Sequence, residues 1–572
     1  MRREVSVVNK KVSSFPILFA LLALLVSTCA VVFPASAQAA PTSTGSITVS
    51  GTVASSYDAY QIFSANVSDG DNDAKVYTQI AWASDAARDA VLPVLHSAGM
   101  PKSQTTAQEA AEWLNADSHL TSALSAQLAR SLQSSGTELA ALNAGTAAEL
   151  PCGYWLIVAD DDAIAQNEAG TAPIMALVGG SAVTVKPKAA TPKVVKHVLE
   201  DSTAAWGKAA DATVADDLYW RLSATVPAGL SAYDTYTVQF VDTMSAGLDP
   251  SRVASSMHVY VAAGADGSLD AVPTGRDGRA GTEPAKGWAD ITARCRVSVE
   301  GSSFTVRTGD LIAALGGADA FAAGARVVAV YDAPLNSACN HGIAKGNPNE
   351  VYLRYPRSPF ADQSGDAGFT RTPSDDATAY TWDLALTKRG SDGDKPLPGA
   401  VLSITDDRGR TLAADGTWDA EGKATVTTGE DGRVTVSGVD SGKLEVRELK
   451  APKGYAAFEG TRSVTVKAEG LDVDQVAAAK PKLTITAESP LRADSADGST
   501  GSLEASLINT PTGTPPSITT GGFMPSTGDM AMYAAAAAAV AGLRSSWSRS
   551  WSSGEVAAIK SSWQPHRERG ET

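Results

Sequence analysis

The sequence predicts a mainly β chain: tandem β-sandwich modules preceded by an α+β module with a helical insertion. Two observations carry this: short apolar alternations separated by Gly, Asp and Pro clusters through most of the chain, and one leucine row at spacing four confined to its first third. A third is that charged and amide residues recur on core-facing strand positions, in the same order, in two different modules. With 572 residues, 44% of them apolar, the chain has room for about three domains that each bury a core.

The first segment sets the compartment. Arg2, Arg3, Lys10 and Lys11 precede an apolar run from Phe15 to Phe33, and Ala35-Ser36-Ala37 and Ala37-Gln38-Ala39 offer small-residue cleavage sites, so residues 1–39 read as a secretory signal peptide. Cleavage removes Cys29 and leaves Cys152, Cys295 and Cys339 in an oxidising exterior, where three thiols allow one bridge at most. Cys295 and Cys339 fall in one predicted domain and are the natural disulfide pair; Cys152, after Pro151, reads as a small core residue. A net charge of −16 argues against a nucleic-acid partner and fits a solvated surface protein.

Residues 40–188 form the N-terminal module. Strand-like alternation at Ile47, Val49 and Val53 is followed by Leu120, Leu124, Leu128 and Leu132 on one helix face, capped at Asp117 or Ser118 and packing on a sheet. From 189 to 358 strands dominate, with alternations at Tyr236–Val241, His258–Val261, Phe304–Val306, Arg326–Tyr331 and Val351–Tyr355, the pattern of an antiparallel sandwich. A polar, turn-rich stretch over 359–379 reads as a linker. A second sandwich covers 380–511, and a Thr-, Pro- and Gly-rich spacer covers 512–523. The terminal segment 524–572 holds an apolar run from Met530 to Leu543, shorter than the about 20 residues of a full membrane span, then a Ser-, Trp- and charge-rich tail from Arg544.

The chemistry lies in the strand faces. Residues two apart share a face, so Val194, Lys196 and Val198 point one way, as do Val238, Phe240 and Asp242, and Asn349, Val351 and Leu353. The second sandwich repeats this with Leu384, Leu386 and Lys388, with Leu444, Val446 and Glu448, and with Ala505, Leu507 and Asn509. Burying a lone ammonium or carboxylate costs several kcal/mol, so these residues need partners. The same burial lowers a lysine pKa and raises a carboxyl pKa. A neutral amine beside a neutral acid and an asparagine carboxamide can then displace ammonia once, forming an isopeptide bond in a reaction made feasible by orientation.

At these residues the sequence resembles the backbone pilins of Gram-positive sortase-assembled pili. Residues 190 to 356, with Lys196, Phe240-Val241-Asp242-Thr243-Met244 and Asn349-Glu350-Val351-Tyr352-Leu353-Arg354-Tyr355, resemble the fimbrial isopeptide-forming domain. Residues 383 to 510 are similar to the collagen-adhesin B-type, prealbumin-like repeat, from Lys388 and Leu397-Pro398-Gly399-Ala400 to Asn509-Thr510-Pro511. Glu448-Leu449-Lys450-Ala451-Pro452-Lys453-Gly454-Tyr455 looks like the pilin E-box. The resemblance implies immunoglobulin-like and prealbumin-like sandwiches, bonds Lys196–Asn349 and Lys388–Asn509, and Asp242 and Glu448 as the assisting acids; Lys193, on the opposite face from Lys196, is the lesser alternative.

Met524-Pro525-Ser526-Thr527-Gly528 resembles the LPxTG sorting motif with Met in place of Leu, which implies sortase attack at Thr527. Val183-Thr184-Val185-Lys186-Pro187-Lys188 looks like the pilin motif and implies Lys188 as the amine that accepts the preceding subunit. The implied partners are sortases, other copies of the chain, ancillary pilins and peptidoglycan, and the implied place is a wall-anchored extracellular pilus. The alternative role is a monomeric adhesin or ancillary pilin whose N-terminal module binds a host ligand. No cofactor or metal is expected: Asp69, Asp71 and Asp73 lack the closing Glu of a calcium loop, the six histidines show no zinc spacing, and there is no phosphate-binding Gly loop.

Overall fold

In the first lobe the long strand Ser56–Asp69 is the spine of a five-stranded antiparallel sheet, between Lys75–Trp82 and Gly153–Ala159, with Ile174–Val178 at one edge and Leu139–Asn143 paired to the spine. A three-stranded sheet places Thr44–Val49 between Ala147–Pro151 and Val183–Val185. These strands belong to a computed structural model that describes residues 43–71, 74–116, 118–137, 139–187, 191–228, 230–264, 287–471 and 481–513. The signal peptide read over 1–39, Lys188, the Met524–Gly528 motif and the tail lie outside the described residues.

Three helices cover one face of the spine sheet: α1 (Asp85–Ser97), α2 (Ala107–Asn115) and α3 (Ser122–Ser134). Their Val91, Leu95, Leu114, Leu124, Leu128 and Leu132 bury against Tyr60, Ile62, Leu156 and Val158, so the leucine row does pack on a sheet. Its start differs from the expected one. Thr121, in extended backbone, accepts the Leu124 amide at 3.1 Å and is the N-cap. Leu120 therefore precedes the helix, and Ser118 sits in left-handed backbone at φ 68°; Asp117 lies outside the described residues.

The first sandwich has two sheets. One runs in the order Ala205–Gly207, Val194–Glu200, Tyr219–Thr225, Arg326–Asp332, His258–Ala262, Trp288–Asp290. The other runs Ala209–Asp211, Asp375–Tyr380, Asn347–Pro356, Gln239–Met244, Ser303–Arg307, Arg296–Glu300, with Phe369–Arg371 paired to the Asn347–Pro356 strand. Trp220, Leu222, Phe240, Val259, Val327 and Leu353 fill the space between them. The stretch 359–379 is thus not a linker throughout. Its end supplies two strands, because Ala377 and Ala379 alternate with polar residues and are small enough to bury completely.

The second sandwich packs a four-stranded sheet, ordered Arg433–Val439, Trp382–Gly390, Ser502–Asn509, Leu491–Asp497, on a seven-stranded one whose centre is Val401–Thr405, Gly442–Lys450 and Thr461–Glu469. Its first strand, Trp382–Gly390, pairs in parallel with its last, Ser502–Asn509. Leu384, Leu386, Leu402, Val436, Val446, Leu503 and Leu507 form the core. The expected Cys295–Cys339 disulfide is absent: both thiols are free. Cys295 follows a short 3-10 turn and turns its Sγ to the Ile291 carbonyl at 3.3 Å, whereas Cys339 lies in a loop with its Sγ toward His341. Cys152 is a buried core residue. Among the described residues no helix is long and apolar enough to cross a membrane.

Candidate functional site: two buried lysine, carboxyl and asparagine clusters

Each of the six strand-face residues singled out in the sequence lands inside a sandwich. In the first, Lys196, Asp242 and Asn349 are all 0% exposed. Lys196 comes from one sheet, while Asp242 and Asn349 sit on neighbouring antiparallel strands of the other, in register Met244 opposite Asn349. The lysine therefore reaches across the core. Its Nζ contacts Asp242 Oδ2 and donates to the Tyr331 hydroxyl at 2.9 Å. Tyr331 in turn donates to Asp242 Oδ2 at 3.1 Å and accepts from Asn349 Nδ2 at 3.0 Å, so one hydroxyl ties lysine, acid and amide together. Trp220 closes the pocket, its ring centroid 5.4 Å from Nζ.

Two acceptors at this cluster, Asp242 Oδ1 and Asn349 Oδ1, are buried without a hydrogen-bond partner. Such orphans cost about 1–3 kcal/mol each. A proton on the acid would give it a hydroxyl able to donate to an amide carbonyl. Burial pulls Lys196 down to about 8, against the opposing pull of Asp242, and burial pushes the Asp242 carboxyl up. Both shifts favour the neutral amine and neutral acid. Lys193 is exposed on the outer face, which leaves Lys196 as the lysine of this cluster.

The second sandwich assembles the same groups differently. Lys388 and Asn509 lie on the adjacent parallel strands, Lys388 level with Leu507 and Asn509 level with Gly390, so lysine and amide share one sheet. Glu448 comes from the opposing sheet. Lys388 Nζ is 3.3 Å from Glu448 Oε1, and both side chains are fully buried. Asn509 Nδ2 donates to both Glu448 oxygens at 2.9 and 3.0 Å, and the Phe458 amide donates to Oε2 at 3.1 Å. Asn509 Oδ1 again has no partner. Burial brings Lys388 down to about 8, opposed by Glu448.

Tyr331, Trp220 and the Phe458 amide were not anticipated. Tyr331 ends the apolar run Arg326–Tyr331 and fits its core-facing alternation, so nothing in the pattern marks it as polar machinery. The Phe458 amide leaves no sequence signal at all.

The chain is similar to several known proteins, and one family model covers part of the second sandwich. Residues 383–480 match the family model described as SpaA: prealbumin-like fold domain. Over 143 residues the chain is 30% identical to the trypsin-resistant surface T6 protein of Streptococcus pyogenes serotype M6, covering 24% of this chain and 24% of that protein. The match thus spans about a quarter of the curated relative. The T6 backbone pilin of the same organism is similar in structure, with a TM-score of 0.45 and 16% identity over 82% of this chain and 98% of that one. The full-length major pilin SpaD of Corynebacterium diphtheriae gives a TM-score of 0.40 at 15% identity over 82% and 98%. The major pilin SpaA of that organism gives 0.38 at 14% over 82% and 99%. The chain is a mainly β protein that carries a SpaA-type prealbumin-like domain and shares a homologous stretch with the streptococcal T6 surface protein.

Proposed function

We propose that the chain is the backbone subunit of a covalently polymerised surface pilus, stiffened by two self-made isopeptide bonds, Lys196–Asn349 and Lys388–Asn509. The observation that carries this is the burial of a lysine, a carboxyl and an asparagine side by side in both sandwiches. The neutral amine attacks the asparagine Cγ, the Cγ–Nδ2 bond breaks, and ammonia departs. One proton moves from the amine, through the acid, to the leaving nitrogen, so Asp242 and Glu448 end as they began. No cofactor or external enzyme enters the balance.

Polymerisation is assigned to sortase attack at Thr527 and transfer to Lys188 of the next copy, with housekeeping attachment to peptidoglycan at the base. This part rests on the two motifs, on the homologous stretch of a surface protein, and on the match of residues 383–480 to the SpaA prealbumin-like family model. Intact-mass measurement of the folded ectodomain is expected to show loss of two ammonia equivalents, and none after Asp242→Ala with Glu448→Ala. An unaltered mass in the parent chain ends the crosslinking proposal. Boiled, reduced wall extracts are expected to give a ladder of multimers that Lys188→Ala collapses to monomer. Anchored monomer without any ladder would favour the adhesin reading instead.

A further inference from the structure

Cys339 lies at the edge of the first sandwich's core, buried, in a setting that the crosslinks do not use. Its Sγ is 3.7 Å from His341 Nε2, and on the other side of the ring His341 Nδ1 is 2.9 Å from Asp383 Oδ1. Asp383 belongs to the first strand of the second sandwich, and its Oδ1 also accepts the Ser437 hydroxyl at 2.6 Å and the Gly438 amide at 3.1 Å. Those donors fix the carboxylate in place. The cysteine loop is itself seated on the second sandwich: the Gly342 amide donates to Thr381 at 3.1 Å, Ile343 to Gly498 at 3.0 Å and Ala344 to Ser499 at 3.2 Å. Thiol, imidazole and carboxylate are thus arrayed by the backbones of two sandwiches. His341 Nδ1 makes no hydrogen bond, so Asp383 acts on the ring through its charge alone, drawing a ring proton to the Nδ1 side and leaving the Nε2 lone pair facing the thiol.

We propose that Cys339 is an activated thiol and a modification site for small disulfides, with His341 as its base and the Asp383 carboxylate as the charge that balances the imidazolium. In the step, the thiol proton passes to His341 Nε2 and the sulfur attacks one sulfur of R–S–S–R. The S–S bond breaks, Cys339–S–S–R forms, and the departing R–S⁻ takes the proton back from the imidazolium. The disulfide is the only oxidant, and it is the kind of molecule an oxidising exterior supplies.

Cys295 provides an internal control. Burial pushes the Cys295 and Cys339 thiols alike up to about 11. Cys295 is the more exposed of the two, but its sulfur meets backbone groups of Ile291 and Gly309 and no imidazole. Exposure alone therefore ranks Cys295 first, whereas a base ranks Cys339 first. The full chain is incubated at neutral pH with oxidised glutathione, and the rate at each cysteine is read by peptide mass mapping. Cys339 is expected to react at least about tenfold faster than Cys295. His341→Gln is expected to abolish that advantage, to restore a steep rise of rate with pH, and to leave Cys295 unchanged. Cys295 reacting as fast as Cys339 in the parent chain overturns the proposal without any variant, and an unchanged Cys339 rate in His341→Gln overturns the base assignment.

Discussion

Lys196 and Asp242 hold one exchangeable proton between them, whether drawn as an ion pair or as neutral amine and neutral acid. The reactive form differs from the ion pair by an internal transfer, so reaching it takes no proton from solvent. Lys196 and Lys388 both titrate near about 8. Above that pH the Lys196–Asp242 pair loses its proton, and the Asn349 carbonyl loses its acid. Crosslinking in freshly synthesised chain, followed by time-resolved mass, is expected to run at constant rate up to neutral pH and to fall by up to about tenfold per pH unit above about 8. A rate that keeps climbing into the alkaline range would mean that amine deprotonation alone is limiting. The participants were legible in the sequence because a Lys, Asp, Glu or Asn on an apolar strand face breaks the alternation. Tyr331 was not, because an aromatic ring satisfies the same alternation. The cysteine pairing failed for a related reason: two thiols assigned to one domain say nothing of which loop ends they occupy, and His341 and Asp383 are brought to Cys339 only by the fold.

The two proposed crosslinks would act differently on the elements they join. A Lys196–Asn349 bond would fasten one sheet of the first sandwich to the other, whereas a Lys388–Asn509 bond would fasten the first strand of the second sandwich to the last, where they already pair in parallel. With that bond formed, a pull applied to the ends of the second sandwich would pass through it and bypass most of the strands. Closing a loop of roughly a hundred residues removes about 4–5 kcal/mol of unfolded-state freedom. Lys388→Ala loses that, together with the nitrogen that faces Glu448 Oε1. Single-molecule pulling is expected to show no unfolding of this sandwich in the parent chain and a full unfolding extension in the variant; identical traces would remove the load-bearing role. Strands were legible where large apolar residues alternate, as in Leu384, Leu386 and Leu444, Val446. Asp375–Tyr380 was missed because its buried residues are Ala377 and Ala379, which carry little pattern signal. The third helix showed through its leucines, but its start did not, since a Thr121 cap depends on backbone geometry that Asp117 and Ser118 matched equally well by type.

Across the whole molecule, the two sandwiches meet along a junction crowded with charge. Arg410 grips Asp216 through contacts of 2.5 and 2.7 Å, and Arg408 reaches Asp216 at 2.9 Å and Asp201 at 3.1 Å, so these acids are paired. Beside them Glu200 and Asp211 of the first sandwich face Asp440, which lies between the Arg433–Val439 and Gly442–Lys450 strands of the second. Asp211 Oδ2 takes the Trp382 indole at 2.6 Å and the Ser441 amide and hydroxyl at 3.0 and 2.6 Å, while the Asp211 amide donates to Glu200 Oε2 at 3.0 Å. Burial and then the Asp211 charge push Glu200 up to about 8, and burial with the neighbouring carboxyls pushes Asp440 well up. An acid raised in the folded state keeps its proton where the unfolded chain has lost it. Its contribution is therefore fully present below the ordinary carboxyl range of about 4.5 and is lost as pH rises through about 8. Glu200→Gln copies the protonated acid without titrating. At about 1.4 kcal/mol per pH unit, and with the carboxyls sharing the load, the variant is expected to be more stable than the parent by about 2–4 kcal/mol at pH 8 and nearly equal to it at pH 5. Thermal unfolding midpoints of both chains at the two pH values test this. A parent whose midpoint does not fall between pH 5 and 8, or a variant that falls in parallel with it, would show that the junction carboxyls do not govern how firmly the two sandwiches are locked.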